Sequence, residues 1–181
     1  TAEAELGGCD VLVYLSGNSA PRGAIEDVDA AHFSAALSGV RGAFHCARAF
    51  APEFKAQRSG CIVNVADSVP DALLGYPQRT ALATAQWSLL GLCKTLALEL
   101  GGSKVRCNMV APGVVDGTGL DDVLQSESPD TRDELEAFTA LGELVKPEDI
   151  VNTIVWASSP LSAGLTGQLL RTDGGAMDFF K

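Results

Sequence analysis

Val105-Arg106-Cys107-Asn108-Met109-Val110-Ala111-Pro112-Gly113 reads as a β-strand closed by a Pro-Gly turn. The segment before it has a different texture. From Thr80 to Leu100 the residues Leu82, Ala85, Leu89, Cys93, Leu96 and Leu100 recur at three and four, the stripe of a helix that Gly101-Gly102 ends. Further out, Cys61-Ile62-Val63-Asn64-Val65 and Val11-Leu12-Val13-Tyr14-Leu15 are short apolar runs of the kind a strand buried on both faces shows. Between them Phe33, Leu37, Val40, Phe44, Ala47, Ala51 and Phe54 trace one face of a long helix from about 30 to 58. Pro52 kinks its last turns or starts a new one, and Ser59-Gly60 stops it.

Towards the C-terminus, residues 114–140 are polar and acidic and predict a loop with short helices. Pro147-Glu148-Asp149 opens a helix to about Ser158, with Pro in the first turn. Gly167 to Thr172 is a final strand before Asp173-Gly174-Gly175. Strands alternating with helices predict an α/β fold, a doubly wound parallel sheet with helices on both faces, in one domain spanning 1–181.

The 181 residues carry 13 Lys+Arg against 23 Asp+Glu, a formal net charge of −10. That balance argues against a nucleic-acid partner, because phosphate binding needs clustered cations. With 46% apolar residues the chain can bury a sizeable core. No apolar run approaches the roughly 18 residues of a membrane span and no signal peptide opens the chain, so a cytoplasmic protein without a membrane partner is expected. Cys9, Cys46, Cys61, Cys93 and Cys107 form no CxxC pair and read as buried thiols in a reducing compartment. With only His32 and His45, no metal site is expected.

The segments in this order resemble the short-chain dehydrogenase/reductase (SDR) family. Asp10-Val11-Leu12-Val13 followed by Gly17 looks like that family's fourth strand, and Gly60 to Val65 its fifth. Leu90-Gly91-Leu92 with Thr95-Leu96-Ala97-Leu98-Glu99-Leu100 resembles the helix that carries its catalytic residues. Residues 105–113 are similar to its V-R-x-N-x-V-x-P-G strand. Pro147-Glu148-Asp149-Ile150 and Thr166-Gly167-Gln168 with Asp173-Gly174-Gly175 resemble its last helix and strand.

The resemblance implies a Tyr acid/base and a Lys four residues later on one helical face. Those positions fall on Leu82 and Gln86, which can supply neither a proton nor a charge. The family's Ser falls on Asp67, or on Ser68 after a one-residue slip, and its helix Asn falls on Gly39. A carboxylate at 67 would repel a developing oxyanion. Tyr14 and Leu15 are bulkier than the family's residues near where a nicotinamide ribose would lie. The Gly-rich turn that holds a dinucleotide pyrophosphate is expected upstream of residue 10, in a three-strand half of roughly 60–75 residues that the chain as given lacks. The chain starts at Thr1 without Met, so processing or a longer polypeptide is expected. The fourth strand would then expose an open edge.

Other readings centre on loops. Tyr76, with Arg79 three residues on, is either a relocated acid or a loop aromatic. Asp67 and Asp71 form a candidate carboxylate pair, with solvated loop acids as the plain alternative. His32 and His45 read as surface or interface residues. Eight acids between Asp116 and Glu136 against the single base Arg132 predict an acidic lid that disfavours anionic substrates, or a solvated loop.

Taken with the resemblance, these losses lead to an expected non-catalytic subunit that binds no cofactor, neither NAD nor NADP. It would assemble with an active SDR homologue, or with itself, through helices 30–58 and 80–100 and the C-terminal strand. Heteromeric hydroxyacyl-CoA dehydrogenases are the model for such a pairing. Two alternatives stay open: a repurposed lyase, isomerase or cyclase using the old pocket around Asp67, Ser68 and Tyr76, and an active NAD(P)-dependent oxidoreductase with an atypical site.

Overall fold

The computed structural model describes residues 5, 7–15, 23–67, 77–117 and 131–176. Four parallel strands form one sheet in the order β1 (Val11–Leu15), β2 (Gly60–Val65), β3 (Val105–Pro112), β4 (Leu169–Thr172). Leu15 pairs with Val65, Val65 with Val110 and Pro112 with Thr172, so the carboxyl ends of the strands lie along one edge.

Alternation along each strand sorts the two cores. Ile62 of β2 and Ala66 just after it, with Val105, Cys107, Met109 and Ala111 of β3, face α2 (Ser38–Gln57) and α3 (Thr80–Gly101). Cys61, Val63, Val65 and Val110 face α5 (Pro147–Ser158) on the other side. Phe54, Ile62, Leu89 and Leu100 are fully buried, each stabilising the fold by roughly 1.5–3 kcal/mol relative to exposure.

Two sequence expectations need correction. The helix foreseen over 30–58 is two helices, α1 (Ala30–Ala36) and α2, with Leu37 between them. Pro52 does not start a new helix: α2 runs through it and stops where Arg58 turns left-handed at φ 52°. Gly60 follows because a Cβ there would lie 2.6 Å from the ring of the fully buried Phe54. The second correction concerns β1. It is not buried on both faces: Leu12 and Tyr14 are half-buried against the α2–α3 core, but Val11, Val13 and Leu15 are exposed. Among the described residues β1 is a sheet edge.

On the opposite face α5 begins as foreseen, with Pro147 at its first position and the Asp149 carboxylate accepting the Lys146 amide at 3.0 Å. The short α4 (Thr131–Ala137) lies in the acidic stretch. Among the described residues α3 alone is long and apolar enough by composition to cross a membrane. This modifies the expectation that no such run exists, yet Leu82, Ala85, Leu89, Cys93, Ala97 and Leu100 bury one side of it in the core.

Candidate functional site

In open α/β sheets ligands bind beyond the carboxyl ends of the strands. Here those ends are Leu15, Ala66–Asp67, Pro112–Gly113 and Thr172–Asp173. α3 delivers one of the expected positions, Gln86, beside them. Gln86 is 1% exposed, and its side-chain oxygen accepts the Asp67 backbone N–H at 3.3 Å. Thus residues 67 and 86, nineteen apart in sequence, meet at the end of β2. A glutamine inside an otherwise apolar helical stripe was the signal for this contact.

Leu82 lies one helical turn before Gln86 and is also buried. It packs with Ala36, Ala81 and Ala85, against Val28, Leu37 and Val40, in an apolar cluster joining α1, α2 and α3. Gly39 is buried within α2, and one turn on lies Gly42. The Tyr14 hydroxyl packs against Gly42, where a Cβ would collide with it. Tyr14 therefore fills space against α2, and burial, with Cys46 nearby, pushes its phenol above the ordinary range.

Ser68, Asp71 and Tyr76 lie outside the described residues, as do positions 118–130 of the acidic stretch. Arg79 is half-buried just before α3. The two histidines are apart: His32 is exposed on α1, its Nδ1 2.9 Å from the Asp29 carboxylate, and His45 is exposed on α2 against Phe44. Among the described residues no group of three His, Cys, Asp or Glu side chains is placed to hold a metal.

The acidic stretch is partly neutralised internally. Arg132 donates to Asp116 Oδ2 at 2.7 Å and to Glu136 Oε1 at 3.0 Å, and it holds the Asp116 carboxyl below the usual range. A cavity of about 410 Å³ opens at the end of β4 beside Leu141, Leu144 and Val145. Its one guanidinium, Arg171, donates to Asp173 Oδ2 at 2.6 Å, so its charge is already matched.

A residue that the sequence reading passed over shapes the rest of the scaffold. Arg106 of β3 donates to the Ala157 carbonyl at 2.8 Å, the Ser162 hydroxyl at 3.0 Å and the Ser159 carbonyl at 3.1 Å. It closes the C-terminal end of α5, whose last carbonyls have no helical partner. Beside it the Asn108 side chain donates to the Leu165 carbonyl at 2.9 Å and accepts the Gln168 amide at 3.0 Å.

Residues 1–177 match the family model described as enoyl-(acyl carrier protein) reductase. The chain is 33% identical over 136 residues to the 3-oxoacyl-(acyl-carrier-protein) reductase FabG of Thermotoga maritima, covering 75% of this chain and 53% of that protein. It is 30% identical over 175 residues to dehydrogenase/reductase SDR family member 6 of Xenopus laevis, covering 94% and 70%. Among solved structures it matches 7α-hydroxysteroid dehydrogenase complexed with NADH and 7-oxo glycochenodeoxycholic acid, at TM-score 0.86 and 27% identity, over 99% of this chain and 68% of that one. A halohydrin dehalogenase matches at TM-score 0.88 and 22% identity over 97% and 71%, a likeness of fold alone. The chain spans about half the length of the Thermotoga reductase.

These matches correct two expectations. The relatives are named as reductases and dehydrogenases, which points to an oxidoreductase and not to a non-catalytic subunit. The steroid dehydrogenase was solved with NADH, which points to a nucleotide cofactor where none was expected.

Proposed function

This chain belongs to the short-chain dehydrogenase/reductase family, and from that premise we propose that it acts within an NAD(P)-dependent oxidoreductase interconverting a ketone and a secondary alcohol. The observation that carries the reading is the Asp67–Gln86 contact at the carboxyl end of β2, which gathers two of the family's site positions where such a sheet binds its ligand.

By the rule for such sheets the nicotinamide end of the cofactor would lie at the carboxyl ends of the strands, beside Leu15, Ala66–Asp67 and Pro112–Gly113. Residues 82 and 86 do not fit it, because Leu82 is enclosed by aliphatic side chains and the Gln86 carboxamide is engaged by Asp67. When bound, the cofactor supplies the hydride-transferring ring. Proton transfer is then assigned to Asp67, which is half-buried at the strand end. In the reducing direction that role asks for a proton at the carboxyl, since a carboxylate would oppose the developing negative charge on the substrate oxygen. Gln86 fixes the Asp67 backbone, and the Leu82–Val40 cluster keeps water from that side of the site.

The test is NADH and NADPH oxidation by the full-length protein with a 3-oxoacyl thioester and a ketosteroid, compared with D67N. The proposal expects turnover that falls about 100-fold or more in D67N while cofactor affinity holds. Failure to oxidise either nucleotide with either carbonyl, or full activity in D67N, overturns it.

The same proposal includes assembly with a second SDR chain, identical or homologous, through the faces of α1–α2 and α3, in a cytoplasmic setting. Phe44, Trp87 and Leu98, exposed by 47%, 53% and 85%, support the assembly. Light scattering on the purified protein that gives only a monomer would count against it.

A further inference from the structure

Two cysteines of the core are close enough to react with each other. Cys93 lies in the middle of α3 and Cys107 in β3, and both are 0% exposed. The Cys107 thiol donates to Cys93 Sγ across 3.5 Å. The Asn64 side-chain amide approaches Cys107 Sγ at 3.7 Å from β2. All five cysteines of the chain are free thiols, and the proposed reaction uses none of them.

We propose that Cys93 and Cys107 form an oxidisable dithiol, a modification site at which a small disulfide or peroxide oxidant links α3 covalently to β3. A disulfide bond is about 2.05 Å long, so closure asks the two sulfurs to approach by roughly 1.5 Å. With a small disulfide as oxidant, the Cys93 thiolate attacks one of its sulfurs and expels a thiolate. The Cys107 sulfur then attacks the mixed disulfide at Cys93, the protein bond forms, and a second small thiolate leaves. The two protons released by the cysteines end on the two expelled thiolates. Two protein electrons have thereby reduced one disulfide to two thiols. With hydrogen peroxide the same two electrons and two protons yield two waters.

The surroundings favour this order of events. The hydrogen bond from Cys107, with help from Lys94 and Asn64, outweighs burial and lowers the Cys93 thiol below its ordinary value. The same pairing raises Cys107. No other pair of cysteines shares a hydrogen bond among the described residues. Because neither sulfur reaches solvent, the oxidant enters only when α3 opens locally, and the reaction is slow beside that of an exposed thiol. Gln86 lies seven residues before Cys93, two turns along the same face of α3, so the link bears on the helix that anchors Asp67.

The experiment treats the native full-length protein with hydroxyethyl disulfide or hydrogen peroxide, blocks remaining thiols with iodoacetamide, and maps the unreduced digest by mass spectrometry. The expected result is a peptide pair joined through Cys93 and Cys107, a loss of two hydrogens in the intact mass, reversal by dithiothreitol, and retention of native circular dichroism. C93A and C107A, each checked for native circular dichroism, should each abolish that linked pair. Links confined to Cys9 and Cys46 would overturn the proposal. So would thiols at 93 and 107 that stay reduced until the protein is denatured, or their conversion to sulfinic acids without a link.

Discussion

Replacing Arg106 by methionine keeps the aliphatic stem and deletes the guanidinium that closes α5. Five contacts go with it, but they are not equal. Those to the Ala157 carbonyl at 2.8 Å, the Ser162 hydroxyl at 3.0 Å and the Ser159 carbonyl at 3.1 Å are well formed, whereas those to Ser158 at 3.3 Å and Leu165 at 3.4 Å are long. Part of the loss is covered from within. The single Ser162 hydroxyl proton lies within reach of the Ala157 carbonyl at 2.9 Å and the Ser159 carbonyl at 3.1 Å, so one of those oxygens keeps a donor. A hydrogen bond to a charged group contributes about 1.5–3 kcal/mol. Counting one such bond for each amino group of the fork gives roughly 3 kcal/mol for R106M, at the low end of that range. For a chain of this size the melting temperature should fall by about 6–12 °C. R106K retains the charge but offers a single point of donation, and should recover about half of the loss. Thermal unfolding followed by circular dichroism, with urea titration as a second measure, decides the matter. An R106M protein within about 0.5 kcal/mol of the parent would refute the reasoning, because the α5 carbonyls would then not need the guanidinium.

Three further outcomes are expected. G42A should be destabilising by about 1 kcal/mol despite the better helix propensity of alanine, because its methyl collides with the Tyr14 hydroxyl; Y14F in the same background should recover part of the loss, since the ring carbon stays close, and a stabilised G42A would contradict the packing. Q86L leaves the Asp67 amide without its acceptor, so amide exchange there should accelerate at least about tenfold, with a stability loss of roughly 1–2 kcal/mol; unchanged exchange would argue against the contact. The Asp116–Arg132 pair gives a pH signature: because the folded carboxyl is depressed, its contribution is present above the unfolded value of about 4 and is lost as pH falls below it. D116N should therefore be less stable than the parent at neutral pH by a margin that narrows in acid, and denaturant midpoints showing a pH-independent gap would refute the assignment.

Most of the backbone plan was readable before the structure. β2, α3, β3 and α5 each carry a periodicity strong enough to survive any packing, and Pro147 and Gly101 mark their limits within a residue or two. Elsewhere packing overrides a local signal. The apolar stripe from Phe33 to Phe54 is continuous, yet the chain breaks at Leu37 because α1 turns aside to pack Ala36 on Ala81 and Leu82. Pro52 sits inside α2, its ring exposed at the helix surface, while Phe54 anchors the following turn in the core. Val11, Val13 and Leu15 read as doubly buried, but burial of a strand face depends on what covers it, which periodicity does not encode.

The site divides in the same way. Sequence alone determined which residue types stand at positions 39, 67, 82 and 86, and hence that neither Leu82 nor Gln86 can carry a proton or a charge. It could not say what those residues do instead, and the loss of function and of cofactor expected from them is overturned by the relatives. Only the tertiary structure decided that Leu82 completes an apolar cluster, that Gln86 holds the Asp67 amide, that Tyr14 lies on Gly42, and that two thiols fourteen residues apart touch. The physical reason is one of range. Propensity and periodicity act over a few residues and are written into the chain, whereas hydrogen bonds and steric contacts between α3, β2 and β3 exist only once the sheet has fixed which faces meet.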